Sequence, residues 1–297
     1  MPRALPVRGE PSLPPWIRAK KIRLAGLHEL KRLMRSSGLS TVCEEARCPN
    51  RAECFERRTA TFLIAGDVCT RACGFCNVAS GTPRPLDPAE PENVVRAARS
   101  LGLRHVVVTS VDRDDLADGG AAHWARVVRA LKDDDPVRTV ETLTPDFAGD
   151  SAAIDCVSDA GPDVFNHNVE TVPRLYAMVR PKAVYRRSVD LLARVKRHHP
   201  GMTTKSGLML GFSETDEAVV EVLRDLRVAD VDIVTIGQYL RPSAWNLPVV
   251  EYATPARFDA LRQEGEALGF RHVFSGPFVR SSYRAEEAFL ASGAARA

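Results

Sequence analysis

Short apolar segments alternate with amphipathic segments along most of the chain. The apolar segments have the length and composition of buried parallel strands, and they span residues 60–65, 105–111, 138–143, 164–169, 203–210 and 232–239. Segments with the period of amphipathic helices follow them at residues 90–101, 121–131, 151–160, 183–198, 216–228 and 256–268. Glycine or proline stands near many junctions, where it ends an element. The pattern predicts an α/β fold of six βα units with a parallel sheet.

Periodicity alone does not separate a doubly wound sheet from a barrel. Polar residues lie near the carboxyl ends of the predicted strands, as Thr109, Asn168 and Gln238 do, and this is the catalytic end of a TIM-type barrel. A cysteine loop follows the first strand in place of a glycine-rich dinucleotide fingerprint. We therefore predict a partial TIM-type (β/α)6 barrel over residues 59–269, with an N-terminal extension (1–58) and a C-terminal extension (270–297).

Composition and charge narrow the class of protein. The chain is 44% hydrophobic and 27% charged, and its net charge is only +3, from 41 Lys and Arg against 38 Asp and Glu. This charge is too small for a dedicated nucleic-acid binder. No apolar run reaches the roughly 18 residues of a membrane span, and the first residues lack a signal-peptide pattern. We expect a cytoplasmic enzyme with neither nucleic acid nor membrane as partner.

Six of the seven cysteines fall between Cys43 and Cys76. A disulfide framework is a poor explanation, because a chain of this size builds its own core and shows no secretion signal. Clustered cysteines instead indicate metal or cluster ligation. Cys156 stands apart on a predicted helix, where we expect a small buried hydrophobic residue.

Cys69, Cys73 and Cys76 have the spacing C-x3-C-x2-C directly after the first predicted strand. Ferredoxin clusters and structural zinc sites take four protein ligands. Three thiolates without a nearby fourth therefore indicate a 4Fe-4S cluster with one open iron, although zinc or a plain redox cluster remains an alternative. Phe75 precedes the last cysteine, as is usual in the radical S-adenosylmethionine (SAM) superfamily, whose spacing this is.

Cys43, Cys48 and Cys54 form a second triad with the spacing C-x4-C-x5-C. By itself this triad is a moderate metal signal, and three clustered cysteines do not suit a single catalytic nucleophile. Beside the first triad, it predicts a second, auxiliary 4Fe-4S cluster.

Several further segments resemble signatures of the lipoyl synthase family, and the similarity extends over nearly the whole chain. The segments are Thr-Val-Cys-Glu-Glu-Ala-Arg-Cys-Pro-Asn (41–50), Ser-Val-Asp-Arg-Asp-Asp-Leu (110–116), Phe-Asn-His-Asn-Val-Glu-Thr (165–171), Lys-Ser-Gly-Leu-Met (205–209), Gln-Tyr-Leu-Arg-Pro (238–242) and Arg-Ser-Ser-Tyr (280–283). The resemblance implies a radical SAM sulfurtransferase that inserts two sulfur atoms into an octanoyl group on a lysine of a lipoyl carrier domain. One SAM is cleaved to a 5′-deoxyadenosyl radical for each C–H bond, and the auxiliary cluster is the sulfur donor.

The resemblance also implies which residues take part. Ser281 or Ser282, with Ser282 preferred, is expected as the fourth ligand of the auxiliary cluster, although either serine also suits a helix N-cap. A serine oxygen binds this iron less well than a thiolate does. We therefore expect the serine-bound corner of the cluster to be lost readily. The residues expected to contact SAM are Phe75, Ser110, Asn168, Glu170, Arg180 and Gln238. We expect no catalytic residue beyond the cluster ligands.

The implied partners are octanoylated carrier domains, namely 2-oxoacid dehydrogenase acyltransferase subunits and the glycine cleavage carrier protein. An electron donor such as ferredoxin or flavodoxin and a cluster-repair carrier are also expected. The alternatives are another radical SAM enzyme with an auxiliary cluster and, from a different class, a non-catalytic iron–sulfur electron carrier. Phe55, Arg58, Ser213 and Asn246 depart from the family pattern, but none is a predicted ligand.

Overall fold

A computed structural model describes residues 11–19, 40–41, 50, 61–282 and 285 of the 297-residue chain. Within these residues an eight-stranded sheet forms the centre of the molecule. Its strands, in spatial order, are β1 (Ser40–Thr41), β2 (Thr61–Ile64), β5 (His105–Ser110), β6 (Thr139–Leu143), β7 (Val164–Asn166), β8 (Thr203–Leu210), β9 (Ile233–Gln238) and β10 (His272–Gly276). Strands β3 (Val68–Cys69) and β4 (Ala79–Ser80) form a separate pair.

The seven strands from β2 to β10 in this sheet are mutually parallel, and β1 pairs antiparallel with β2. Neighbours in the sheet follow chain order, which is the topology of an open barrel with β1 and β10 at its two edges. The predicted partial TIM-type barrel is therefore confirmed. The structure adds β10, a seventh parallel strand in the region predicted as a C-terminal extension.

The described α-helices connect or precede the strands. They are α1 (Pro15–Arg18), α2 (Glu90–Leu101), α3 (Ala121–Asp134), α4 (Ser151–Ser158), α5 (Tyr176–Val179), α6 (Tyr185–His198), α7 (Asp216–Val228) and α8 (Pro255–Ala267). The long helices bury one apolar face against the sheet, as Trp124 and Leu131 of α3 do. Cys156 of α4 is partly buried and packs against this core, as expected for a small apolar residue.

Charged side chains cross the interior of the barrel. Lys205 of β8 and Glu141 of β6 are both almost fully buried, and the Lys205 Nζ–Glu141 Oε1 distance is 2.9 Å. Burial by itself would raise the pKa of Glu141, but the Lys205 ammonium and His105 bring it down to about 2. The pair spans β7, which lies between the two strands, and so fixes the curvature of the sheet below the site.

None of the described helices is long and apolar enough to cross a membrane.

Candidate functional site

The first cysteine triad lies on a loop at the carboxyl end of β2. Parallel pairing of β3 and β4 closes the base of this loop. Cys69, Cys73 and Cys76 are free and half-buried, and all three line one cavity of about 190 Å³. The cavity also contacts the carboxyl ends of β5, β6 and β7. The structure thus brings the three cysteines to the barrel end that the sequence predicted.

The electrostatics of the loop suit a bound metal centre. Burial raises the pKa of Cys73 to about 12 and that of Cys76 to about 11. The Cys69 sulfur accepts hydrogen bonds from the backbone amides of Arg71 (3.4 Å) and Asp112 (3.3 Å). Buried thiols of this kind lose their protons when a metal supplies the compensating charge. Three soft sulfur donors facing one cavity fit an iron–sulfur cluster with an open iron.

Arg71 fixes the conformation of the cysteine loop. Its side chain is 4% exposed and lies between Cys69 and Cys73 in the chain. Its guanidinium contacts Asp112 at 3.3 Å, Asp114 at 2.7 Å and Asp146 at 2.7 Å. Although burial opposes charge on Arg71, hydrogen bonds to Asp114 and Asp146 keep its pKa above the ordinary value. Asp112 and Asp114 belong to the 110–116 segment, whose sequence carries no signal for this ion-pair role.

Asn168, Glu170 and Arg180 form another part of the cavity wall. Arg180 Nη1 donates to the Asn168 carbonyl oxygen at 2.9 Å, and Asn168 Nδ2 donates to Glu170 Oε1 at 3.1 Å. Glu170 has a positive φ of 66°, a strained conformation of the kind often found at functional sites. Burial raises the pKa of Glu170 in spite of the nearby Arg180.

Two buried polar atoms in this wall have no hydrogen-bond partner among the described residues, namely Asn168 Oδ1 and Arg180 Nε. A side chain at Gly207 would bring its Cβ to 2.9 Å from Asn168 Oδ1, so the glycine of the 205–209 segment preserves the position of Asn168. An unpaired acceptor, an unpaired donor and a buried carboxylate suit SAM, which has an ammonium group, a carboxylate and ribose hydroxyls. The residues present therefore fit the cofactor.

Three other residues were predicted to contact SAM, and only two of them line the cavity. Phe75 and Ser110 line the cavity. Gln238 does not line it, and its polar atoms bond to backbone: Nε2 donates to the carbonyls of Leu210 and Glu251, and Oε1 accepts from the Ala253 amide. The amide of Gln238 thus holds the segment that follows β9, and its contact with SAM stays a prediction.

His167 is a cavity residue that the sequence analysis missed. Its Nδ1 lies 2.8 Å from the Thr144 carbonyl oxygen and its Nε2 lies 2.9 Å from Ser188 Oγ. Burial and the nearby Arg180 lower its pKa to about 4. The residue is therefore neutral at physiological pH and supplies a fixed hydrogen-bonding side chain.

The second set of predicted ligands is described only in part. Cys43, Cys48 and Cys54 lie outside the described residues, whereas Ser281 and Ser282 form a half-buried turn after β10. A Cβ at Gly237 of β9 would overlap the Val279 carbonyl oxygen. The C-terminal segment therefore packs directly on β9, and the charge of Arg280 influences the pKa of Glu170 in the cavity wall.

Asn50 links the N-terminal extension to this segment. Its Nδ2 donates to the Phe278 carbonyl oxygen at 2.6 Å, and its side chain is buried. At the other sheet edge, Ser40 and Thr41 pair with β2. Residues that flank Cys43 and Cys48 in the chain are thus attached to both edges of the open barrel.

Comparisons with known proteins agree with this geometry. The model of the radical SAM superfamily matches residues 63–226. The structure of SuiB from Streptococcus suis bound to its precursor peptide SuiA has a TM-score of 0.56 at 13% identity, covering 86% of this chain and 55% of that one. The hydrogenase maturase HydG from Carboxydothermus hydrogenoformans has a TM-score of 0.52 at 12% identity, with coverages of 90% and 79%. At such identities the likeness shows the fold alone.

Sequence relatives are much closer. The lipoyl synthase of Caldanaerobacter subterraneus subsp. tengcongensis is 55% identical over 92% of this chain and 95% of its own length. That of Symbiobacterium thermophilum is 56% identical, with coverages of 92% and 86%, and that of Methylococcus capsulatus is 54% identical, with coverages of 95% and 89%. Together with the three thiols that face one cavity at the barrel mouth, these identities show that the chain belongs to the lipoyl synthase family of radical SAM enzymes.

Proposed function

We propose that this chain inserts sulfur at two unactivated carbons of an octanoyl group linked to a lysine of a lipoyl carrier domain. The observation that supports this most directly is the convergence of Cys69, Cys73 and Cys76 on a cavity lined by Asn168 and Arg180, in a chain 55% identical to a lipoyl synthase. Another radical SAM activity is not favoured by these relatives, and an electron carrier would not need the cavity.

Cys69, Cys73 and Cys76 would hold the 4Fe-4S cluster of the radical SAM site. When bound, this cluster supplies the electron that splits SAM into methionine and a 5′-deoxyadenosyl radical, which removes a hydrogen atom from a C–H bond that no side-chain base can deprotonate. Arg71 and its three aspartates keep the loop in one conformation. The cysteines therefore enter the reaction already oriented, with little rearrangement of the protein.

The cavity wall would orient SAM. Asn168 Oδ1 is a buried acceptor suited to a ribose hydroxyl or the ammonium group, and the Glu170 carboxylate lies 3.1 Å from Asn168 Nδ2. The buried Arg180 guanidinium suits the SAM carboxylate. Phe75 and Ser110 complete the lining, and the apolar part of this wall excludes water from a radical.

Cys43, Cys48, Cys54 and Ser282 are proposed to hold an auxiliary 4Fe-4S cluster that donates the sulfur. In support, Asn50 bonds to Phe278 at 2.6 Å, which lies four positions before Ser282. The half-buried turn at Ser281 and Ser282 lies beside β9 at the same end of the barrel as the cavity. On this proposal residues 1–58 and 270–297 supply the second cluster, and residues 59–269 supply the radical site.

The partners follow from the reaction. Lipoyl carrier domains are the substrates and a one-electron donor is required. We propose 2-oxoacid dehydrogenase acyltransferase subunits and the glycine cleavage carrier protein as substrates, with ferredoxin or flavodoxin as donor. A carrier that rebuilds the auxiliary cluster is proposed because that cluster is consumed. A cytoplasmic location stays a prediction.

The test is anaerobic reconstitution followed by iron counting and an assay with an octanoyl-lysine peptide. We expect about eight iron atoms per chain, and two molecules of 5′-deoxyadenosine for each lipoyl group formed. Cys73→Ala should abolish formation of 5′-deoxyadenosine while iron at the other triad remains. Native-rate cleavage of SAM by Cys73→Ala would contradict the assignment.

A further inference from the structure

Two short segments that follow β7 and β9 in the chain hydrogen-bond to the cysteine loop at Gly74 and Cys76. The Gly74 amide donates to the Val179 carbonyl at 2.9 Å, and the Leu247 amide donates to the Gly74 carbonyl at 2.9 Å. Asn246 Nδ2 donates to the Cys76 carbonyl oxygen at 2.8 Å. The loop is therefore held between residues 178–182 and residues 243–247.

These two segments expose large apolar side chains. Trp245 is 73% exposed and Met178 is 47% exposed. Neither residue lines the cavity. Ala72, on the loop itself, is also exposed. We call Ala72, Met178, Lys182 and Trp245 the outer face of the loop. Trp is among the side chains enriched at the energetic centres of protein–protein interfaces.

The segments that form the outer face carry charge of one sign. Segments 69–86, 171–189 and 239–250 contain no aspartate or glutamate. Their charged residues are all basic. Arg71 and Arg180 are buried at the cavity, and the charged residues that reach the surface are Arg84, Arg174, Lys182, Arg186, Arg187 and Arg241. Lys182 is exposed, and its Nζ donates to the Thr70 carbonyl at 2.9 Å. Such a surface favours an acidic partner and accelerates its association.

We propose that the outer face is where a small acidic one-electron carrier protein docks to reduce the radical SAM cluster. The inference rests on the proposed function, because only a chain that binds this cluster needs the electron. One electron passes from the carrier to the oxidised cluster, so the carrier is oxidised by one electron and no bond breaks in the protein.

The geometry favours an electron donor over the acyl carrier domain as occupant. An octanoyl chain must enter the cavity, whereas Met178 and Trp245 of the outer face do not line it. Electron transfer needs only a short path, and the exposed Trp245 precedes Asn246, whose side chain bonds directly to the backbone of the cluster ligand Cys76. Docking of redox partners also uses small interfaces.

The test compares two reductants on reconstituted enzyme, with flavodoxin as the protein probe. Reduced flavodoxin gives one electron from its flavin hydroquinone, and dithionite is a small reductant that needs no docking surface. For the double variant Trp245→Ala, Lys182→Gln, we expect the flavodoxin concentration for half-maximal SAM cleavage to rise about tenfold. The dithionite-driven rate should change less than about twofold, since the glutamine amide retains an N–H donor for the Thr70 carbonyl.

Binding supplies a readout that does not depend on turnover. The Kd of flavodoxin for the double variant should rise by a similar factor, and the wild-type Kd should rise with salt. Val137→Ala and Arg197→Gln are matched controls, because Val137 is 82% exposed and Arg197 is exposed at the opposite end of the barrel. Both controls should bind flavodoxin as the wild type does.

Three results would overturn the proposal: unchanged flavodoxin affinity in the double variant, equal losses with both reductants, or a loss of carrier-domain affinity in place of flavodoxin affinity. Failure of wild-type enzyme to cleave SAM with dithionite would instead contradict the proposed function. The two failures are therefore distinguishable.

Discussion

At the residue scale, the cysteine loop depends on a buried cation with three acidic partners. Arg71 contacts Asp112, Asp114 and Asp146, which come from the loops that follow β5 and β6. The cysteine loop is thus held by residues that are not themselves predicted ligands. Removal of one member of such a set leaves buried charges without compensation.

Arg71→Met should lower the free energy of unfolding by about 3–5 kcal/mol, because three carboxylates then lose their shared partner. Anaerobic urea denaturation measures this loss, and iron counting should show less iron at the first triad. Arg71→Lys is the control, since it keeps the charge but cannot form the same fork of hydrogen bonds. A stable Arg71→Met protein with full iron content would contradict the role.

The lowered pKa of His167 predicts that the stability of the fold depends on pH. The folded chain keeps His167 neutral down to a pKa of about 4, whereas the ordinary value is 6.5. The unfolded chain therefore takes up a proton first as pH falls, and the stabilisation present above pH 6.5 is lost between pH 6.5 and 4. The loss should approach about 3 kcal/mol. The free energies of unfolding of wild type and His167→Gln, measured by urea denaturation, should diverge in this pH window. Parallel pH profiles of the two proteins would contradict the prediction.

At the element scale, the barrel interior combines an apolar outer core with a central ion pair. Lys205 and Glu141 lie on strands separated by β7, and Asn166 of β7 donates to Glu141 Oε1 at 3.0 Å. Sequence periodicity predicted these strands, but it gave no signal for contacts between side chains on β6 and β8. Such contacts depend on the curvature of the sheet, which hydrophobic pattern alone does not determine.

Lys205→Met should destabilise the fold by about 3–5 kcal/mol, since it leaves the Glu141 carboxylate buried without its cation. The double variant Lys205→Met, Glu141→Leu removes both charges and should recover most of the loss. The free energies of unfolding of the three proteins form the measurement. If the double variant is as unstable as the sum of its single variants, the ion pair is not the cause.

The close packing at Gly237 of β9 predicts that a side chain there disturbs the Arg-Ser-Ser-Tyr motif (280–283). A methyl group there must displace the Val279 carbonyl oxygen, which moves the turn at Ser281 and Ser282. Gly237→Ala should therefore reduce iron from about eight toward about four atoms per chain, with SAM cleavage retained. Gly276→Ala is the matched control, because its Cβ would make an ordinary contact of 3.5 Å with Val279 Cγ2. Equal iron content in both variants would contradict the placement.

At the scale of the whole molecule, the open edges of the barrel organise the chain. The parallel strands and their helices could be predicted from sequence, because alternation of apolar and amphipathic segments is a local signal. The strand β10 and the Asn50–Phe278 contact could not. The strand lies in a segment predicted as an extension, and the contact joins residues 228 positions apart.

The candidate site, like the fold, could be predicted from sequence only in part. Cys69, Cys73 and Cys76 have a spacing that predicts ligation, and the structure brings them together with Asn168 and Glu170 around one cavity. Gln238 was expected to contact SAM because of the family resemblance and stands at a strand end, and its amide bonds to the backbone of Leu210, Glu251 and Ala253. A strand-end position does not reveal which polar groups are already satisfied.

The sulfur source tests the central claim most directly. Wild-type enzyme is reconstituted with heavy-isotope sulfide, freed of excess sulfide and turned over with an octanoyl-lysine peptide in unlabelled buffer. Both sulfur atoms of the lipoyl product should be labelled, and each chain should make at most about one lipoyl group without cluster repair. Cys48→Ala should form 5′-deoxyadenosine but no lipoyl product. A product with only unlabelled sulfur would contradict the sacrificial-cluster mechanism.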